Sequence, residues 1–313
     1  MNILITGGFG YLGQRLGKYL HESGATIYLG TRHEKKNPNW LENGSSLVTN
    51  WEDIPSFINK IEPFDLVIHA AGMNASECSA NPDRADFING VIVKKLLDSC
   101  IKSHVKNFIF LSTAHVYSDS LEGLITEESP TQNSHPYAKS NIVGENFVIA
   151  ADKSVDINCK VLRLSNCFGA PLSVQANCWN LLVNNISLQA IKHQEIKLNT
   201  SGSQLRDFIP INEFCRTVHF IIHNCMGDRE YSIFNVAGKT FSILEMANLV
   251  ATIYANKHNS VIKIKKEKAT DNDNNANLQY KMGWLTKYNF KKSFEPYQEI
   301  EELLIFCKNN FLI

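Results

Sequence analysis

Near its start the chain runs Ile3-Leu4-Ile5-Thr6-Gly7-Gly8-Phe9-Gly10-Tyr11-Leu12-Gly13. Three consecutive branched apolar residues suit a strand buried on both faces. Glycines at 7, 10 and 13 follow, and Leu12, Leu16 and Leu20 then recur every four residues, marking one face of a helix. Strand, glycine turn and helix in that order let main-chain N–H groups approach a diphosphate, with the positive end of the helix dipole behind them. Gly7, Phe9, Gly10, Tyr11, Leu12 and Gly13 are therefore expected to line a dinucleotide site.

Working outward, the same rhythm repeats. Thr26–Leu29, Leu66–Ile68, Phe108–Leu111 and Val161–Leu164 read as strands, with helices near 84–102 and 137–151 between the later ones. Apolar strands alternating with helices predict an α/β fold: a Rossmann-type doubly wound parallel sheet covered on both faces. From about residue 166 the alternation weakens, with further helices near 179–192 and 242–257. A chain of 313 residues suits about two domains, or one large domain with a satellite lobe. The expected division is a dinucleotide-binding domain over 1–165, with return segments about 205–245. A smaller C-terminal substrate-binding lobe would come from 166–204 and 246–313. Its cleft with the sheet domain is where substrate is expected.

Composition excludes several classes. Lys plus Arg number 31 and Asp plus Glu number 31, so no charge surplus points to nucleic acid or an anionic membrane. The lysines of Lys263–Lys268 lack interleaved aromatics and read as a solvated face. No apolar run reaches the roughly 18 residues that span a bilayer, and Met1–Gly7 carries no signal-peptide pattern. Eight cysteines without a C-x-x-C pair or zinc spacing read as reduced core thiols, giving a cytoplasmic protein without a structural metal as the expectation.

Beyond the glycine turn, spaced segments resemble the extended short-chain dehydrogenase/reductase superfamily, the nucleotide-sugar epimerase/dehydratase group. They are Val67-Ile68-His69-Ala70-Ala71-Gly72, Asn107–Tyr117 with Ser112-Thr113-Ala114-His115, and Pro136-Tyr137-Ala138-Lys139-Ser140. Arg163–Gly169, Arg206-Asp207-Phe208-Ile209 and Phe234–Gly238 complete the series. The resemblance implies that Ala70, Ala71 and Gly72 border the cofactor and that Asn50, Trp51 or Asp53 lies beside its adenine. Thr113 and Tyr137 would be the catalytic hydroxyl and acid/base, and Asn89 would order the active-site backbone. Arg206 would meet the substrate's diphosphate, and Asn166 the substrate phosphate or the cofactor amide. Homodimers pairing through helices equivalent to 84–102 and 137–151 are also implied.

Two departures matter. The family spacing Tyr-x-x-x-Lys puts a lysine at 141, where this chain has Asn141; Lys139 is only two residues on and points elsewhere on the helix. An ammonium favours the phenolate, so its absence leaves a high-pKa phenol. Asn141 is then either a ribose partner, or a sign that another basic group serves, or a sign of nucleotide binding without efficient chemistry. The dehydratase branch carries Asp-Glu where this chain has Ala114-His115, which disfavours 4,6-dehydration. His115 is either an acid/base beside the sugar or structural; His69 and His135 read as structural.

The end of the second strand reads Gly30-Thr31-Arg32, with Lys35 and Lys36 nearby and no acid to hold ribose hydroxyls. Thr31 and Arg32 thus favour the 2′-phosphate of NADP, with NAD as the alternative. The expected activity is NADP-dependent reduction of a nucleotide-linked keto-sugar, with Tyr137 giving the proton. An epimerase retaining NAD and a non-catalytic nucleotide-binding protein are the alternatives.

Overall fold

The computed structural model describes residues 1–49, 64–154, 156–268 and 277–312. Asn50, Trp51 and Asp53, expected beside the adenine, lie outside the described residues.

Seven strands form one sheet: β1 (Asn2–Thr6), β2 (Thr26–Thr31), β3 (Gly44–Val48), β4 (Leu66–His69), β5 (Asn107–Thr113), β6 (Asn158–Leu164) and β7 (Ile233–Val236). Their order is β7-β6-β5-β4-β1-β2-β3, and every pairing is parallel. The order reverses direction between β1 and β4, so a crevice opens there at the carboxyl ends of the strands. Ile3 pairs with Ile27 on one side and Leu66 on the other, and all three are fully or almost fully buried. That burial on both faces is what the unbroken apolar runs predict.

The longer helices are α1 (Tyr11–Glu22), α2 (Ile92–Lys102), α3 (Pro136–Ser154), α4 (Leu182–His193), α5 (Ile211–Asn224), α6 (Ile243–His258) and α7 (Pro296–Phe311). In α1 the expected stripe is present: Leu16 and Leu20 are buried in the main core, each contributing roughly 1.5–3 kcal/mol by leaving water. The helix expected over 84–102 is not continuous. A short helix at Pro82–Ala85 runs into a π-helical turn at Asp86–Val91 before α2 begins. Buried Asn89 sits inside that turn. All eight cysteines are buried and unpaired.

A second core joins Phe168, Val183, Ile186 and Phe208 to Ile243, Met246 and Val250 and to Ile300, Leu303 and Leu304. It gathers α4, α6 and α7 around short strands. Leu278, Tyr280, Met282, Leu285 and Phe290, expected in the lobe, pack into the core on the sheet instead. The strand Leu278–Tyr280 pairs with Gly123–Ile125, which draws this segment toward the sheet domain.

Helix α3, which carries Tyr137, lies very close to the π turn. A Cβ at Gly144 would sit 2.6 Å from the Asn89 carbonyl oxygen and 3.1 Å from the Phe110 ring. Gly144→Ala must therefore push α3 off the sheet or distort the π turn. The expected loss is about 1–3 kcal/mol of stability, read as a lower urea midpoint with unchanged slope. An unchanged midpoint would show that the contact is slack.

Candidate active site

The glycine turn packs as its sequence suggests. Gly7 has φ of 66°, and a Cβ there would lie 2.8 Å from the main chain of Ala71. A Cβ on Gly13 would lie 2.4 Å from the Gly7 carbonyl oxygen, so α1 starts hard against the turn. Gly10 precedes α1 with no side-chain cap. The first-turn N–H groups thus face the crevice without a side-chain acceptor, the arrangement a diphosphate fills. Gly7, Phe9 and Gly10 line a cavity of about 670 Å³ with Thr31, Arg32, Ala70, Ala71 and Gly72. Gly13 is not among the residues lining this cavity; its part is to let α1 close on Gly7. The residues present fit a dinucleotide.

A second cavity, about 350 Å³, shares Ala70, Ala71 and Gly72 with the first. Its walls include Tyr11, Leu12, Asn89, Thr113, His115, Tyr137, Asn141 and Asn166. The expected catalytic residues therefore meet around one space. Leu12 faces this cavity, and the Tyr11 hydroxyl donates to the Gly169 carbonyl at 3.1 Å.

Thr113 ends β5 opposite Leu164 of β6. Burial pushes the Tyr137 phenol up from its ordinary pKa, and a hydrogen bond with Thr113 partly offsets that. Asn141 is buried, and its Nδ2 donates to the Tyr137 carbonyl at 2.7 Å, one turn back in α3. Among the described residues nothing donates to its Oδ1. Lys139 is exposed and absent from the cavity wall. No lysine among the described residues lines this cavity, so no ammonium lowers the phenol pKa.

Asn89 sews the site's backbone together. Its Oδ1 accepts from Met73 N–H at 2.8 Å, and its Nδ2 donates to Met73 O at 3.3 Å and Ser140 Oγ at 3.2 Å. The π turn aims this amide between the loop after β4 and the helix of Tyr137. His135 Nδ1 accepts from Tyr137 N–H at 3.1 Å, and its Nε2 lies 2.9 Å from Ser79 Oγ. It caps α3. His69 is buried against Thr6 Oγ1 at 2.7 Å, and burial pushes its pKa down to about 4. Both are structural.

His115 faces the cavity. Its main chain is held by Thr113 Oγ1 and by Asn133 Nδ2, at 3.2 and 2.7 Å. Its imidazole has no hydrogen-bond partner among the described residues. Burial, then the charge of Arg206, lowers its pKa and keeps it neutral at pH 7. Arg206, half-buried on the strand Leu205–Pro210, has no ion-pair partner among the described residues, and burial lowers its pKa. It lines a separate cavity of about 430 Å³ with Asn185, Gln189, Thr200 and Gln204. Asn166 is one strand over, its Nδ2 bonded to Asp207 O at 2.9 Å.

Sequence reasoning missed some wall residues. Met73 and Asn74 follow Gly72 directly, and Leu181 comes from the loop before α4. Ala80 and Arg84 line the cavity of the glycine turn together with Gln175, Ala176 and Asn177. No periodicity marks these loop residues.

A parallel sheet with a glycine-lined crevice at its switch point defines a Rossmann-type α/β protein. Comparison with known proteins agrees. The model of the NAD dependent epimerase/dehydratase family matches residues 3–237, and the chain belongs to that family. It is 25% identical over 278 residues to a UDP-glucose 4-epimerase of Mycoplasma genitalium, covering 80% of this chain and 81% of that one. It is 24% identical over 187 residues to a dTDP-glucose 4,6-dehydratase of Streptomyces niveus, covering 59% of this chain and only 52% of that one. A UDP-N-acetylglucosamine 4-epimerase from Methanobrevibacter ruminantium M1, solved with UDP-N-acetylmuramic acid, superposes with a TM-score of 0.81 at 21% identity, covering 97% of each chain. No helix among the described residues is long and apolar enough to cross a membrane.

Asp207, next to Arg206, gives a stability test. Burial raises its pKa to about 6, against the opposing pull of Gly238 N–H at 2.7 Å and the charge of Lys292. A carboxyl raised in the folded state stabilises below its unfolded value of 3.8, and that contribution is lost as pH rises through about 6. Asp207→Asn cannot ionise. Relative to the native chain it should gain on the order of 2 kcal/mol between about pH 4 and pH 7. Urea midpoints at the two pH values check this; a constant difference would place the ionisation elsewhere.

Proposed function

We propose that this protein reduces a nucleotide-linked keto-sugar with NADPH, Tyr137 giving the proton. The observation that carries the reading is the bond from Asn141 to the carbonyl of Tyr137. At the place where the resemblance calls for an ammonium there is a neutral amide turned back on its own helix. A buried phenol without that ammonium holds its proton, so it serves as an acid and poorly as a base. Reduction asks only for the acid in its forward direction.

When bound, the reduced nicotinamide supplies hydride to the carbonyl carbon. Thr113 and Tyr137 hold the carbonyl oxygen between two hydroxyls, and the phenol proton moves to that oxygen as it becomes an alcohol. The free Oδ1 of Asn141 accepts from a ribose hydroxyl. Neutral His115 presents one donor and one acceptor to the sugar hydroxyls. Arg206 and Asn166 face the diphosphate, where a guanidinium suits paired phosphate oxygens. Preference for NADP rests on Arg32 and Lys35, which share a cavity with Gly7 and Gly10, whereas Glu34 between them is not among the residues lining it. A homodimer belongs to the same reading: Phe87, Val91 and Val143 are partly exposed where the 82–102 segment and α3 lie side by side.

Tyr137→Phe should lower keto-sugar-dependent NADPH oxidation by about 100-fold or more while NADPH affinity stays within about twofold. Undiminished turnover would remove Tyr137 from the chemistry. If the native chain shows no such oxidation with any keto-sugar offered, a binding role replaces the enzymatic one. Asn141→Lys should lower the phenol pKa and speed oxidation of the hydroxy-sugar more than reduction of the keto-sugar, moving the alkaline limb of the pH–rate profile. Equal effects in both directions would show that residue 141 does not tune the phenol.

A second reading, an epimerase, is favoured by relatives that carry that activity in their names. It predicts stoichiometric NAD(H) released on denaturing the purified protein. The reductase reading predicts an exchangeable NADP(H).

A further inference from the structure

The glycine-turn cavity holds more positive charge than a diphosphate cradle needs. Arg32, Lys35 and Arg84 all line it, and Glu77 is its one acidic side chain among the described residues. Glu77 is already engaged, since its Oε2 accepts from Asn74 N–H at 2.8 Å in a capping box. Lys35 Nζ lies 5.0 Å from the centre of the Phe9 ring, a residue of the glycine turn. The guanidinium groups of Arg32 and Arg84 have no hydrogen bond, ion pair or ring contact among the described residues. Arg84 is nevertheless fixed at its backbone, where its N–H donates to Asn81 Oδ1 at 3.0 Å.

Topology places these cations on opposite walls. Arg32 and Lys35 follow β2, while Arg84 lies on the short helix Pro82–Ala85 beyond β4. β2 and β4 flank β1 on its two sides. The diphosphate is served by main-chain N–H groups at the start of α1, which need no cation. Three side-chain cations thus line the same cavity as that turn without being needed by the diphosphate.

We propose that Arg84 binds the adenosine 2′-phosphate of NADP from the wall opposite Arg32, and so sets cofactor choice together with it. The inference rests on the NADP reading and adds a residue that no motif named. A guanidinium can meet phosphate oxygens bidentately, so Arg84 acts as a phosphate ligand rather than as diffuse charge. Its exposure means that replacing it leaves the fold intact.

The test is equilibrium binding to the full purified chain, followed by fluorescence, with NADPH, NADH, adenosine 2′,5′-diphosphate and ADP. Arg84→Ala should weaken NADPH and adenosine 2′,5′-diphosphate by about tenfold and leave NADH and ADP within about twofold. Arg84→Lys should fall between, keeping charge but losing the paired contact. If the native chain prefers NADPH and Arg84→Ala keeps the same NADPH-to-NADH ratio, the inference fails while the NADP reading stands. Equal weakening of all four probes would assign Arg84 to the diphosphate and also overturn it. If the native chain shows no preference for NADPH over NADH, the NADP reading itself falls and takes the inference with it.

Discussion

The site depends on one buried ion pair beneath it. Arg163 of β6 clasps Glu145 of α3, with Nε at 3.1 and 3.2 Å from the two carboxylate oxygens and a terminal nitrogen at 2.6 Å. Ser112 of β5 donates to the same carboxylate. Each partner alone would be an uncompensated buried charge, and breaking such a pair from one side costs about 3–5 kcal/mol. The pair therefore locks three elements at once. Ser112 adjoins Thr113, Glu145 lies two turns along from Tyr137, and Arg163 precedes the Leu164–Asn166 wall. The spacing of the Thr113 and Tyr137 hydroxyls is set from below.

That clasp is the centre of a wider polar network. The guanidinium of Arg163 lies 4.7 Å from the Tyr117 ring centre, and the Tyr117 hydroxyl donates to Asn235 Oδ1 at 2.7 Å. Tyr280 donates to the Arg163 carbonyl and to the same Asn235 oxygen, at 2.8 and 2.9 Å. Glu127 accepts from Asn235 N–H and Gly283 N–H, both at 3.1 Å. This explains why residues 278–290 leave the lobe for the sheet's core. Their backbone and Tyr280 complete hydrogen bonds that would otherwise stay open inside the protein, where an unmet polar group is expensive.

Legibility in the sequence followed the range of the interaction responsible. The glycine turn, β1, β4, β5 and β6 are local patterns, and they stand where the apolar runs place them. Helix α5 carries a local signal as well, the apolar stripe of Ile211, Phe214, Cys215, Val218 and Ile222, all buried. The π turn was not legible. Its extra residue is stabilised by Asn89 reaching Met73 and Ser140, 16 and 51 positions away, and nothing in Asp86–Val91 alone calls for it. The place of Arg84 on the glycine-turn cavity was hidden likewise, because only the sheet order brings the segment after β4 to the same crevice as the one after β2. The amide of Asn141 was visible as a departure, but not its turn toward the Tyr137 carbonyl.

The departure at 141 makes physical sense only with the charges around it. Arg206 lies near enough to His115 to depress its pKa, and it is itself half-desolvated. A lysine in α3 would add a cation to a cavity whose wall holds His115, already within reach of the Arg206 charge. With Asn141 in its place, the cavity around Tyr137 carries no fixed positive charge of its own, and the phenol, lifted by burial, stays protonated through neutral pH. In the proposed reduction, negative charge growing on an oxygen between Thr113 and Tyr137 would be quenched by proton transfer, since no Lys or Arg among the described residues lines that cavity. Of the two proton roles open to a phenol, the surroundings of Tyr137 suit the acid, since burial raises its pKa and no lysine among the described residues lines the cavity to lower it.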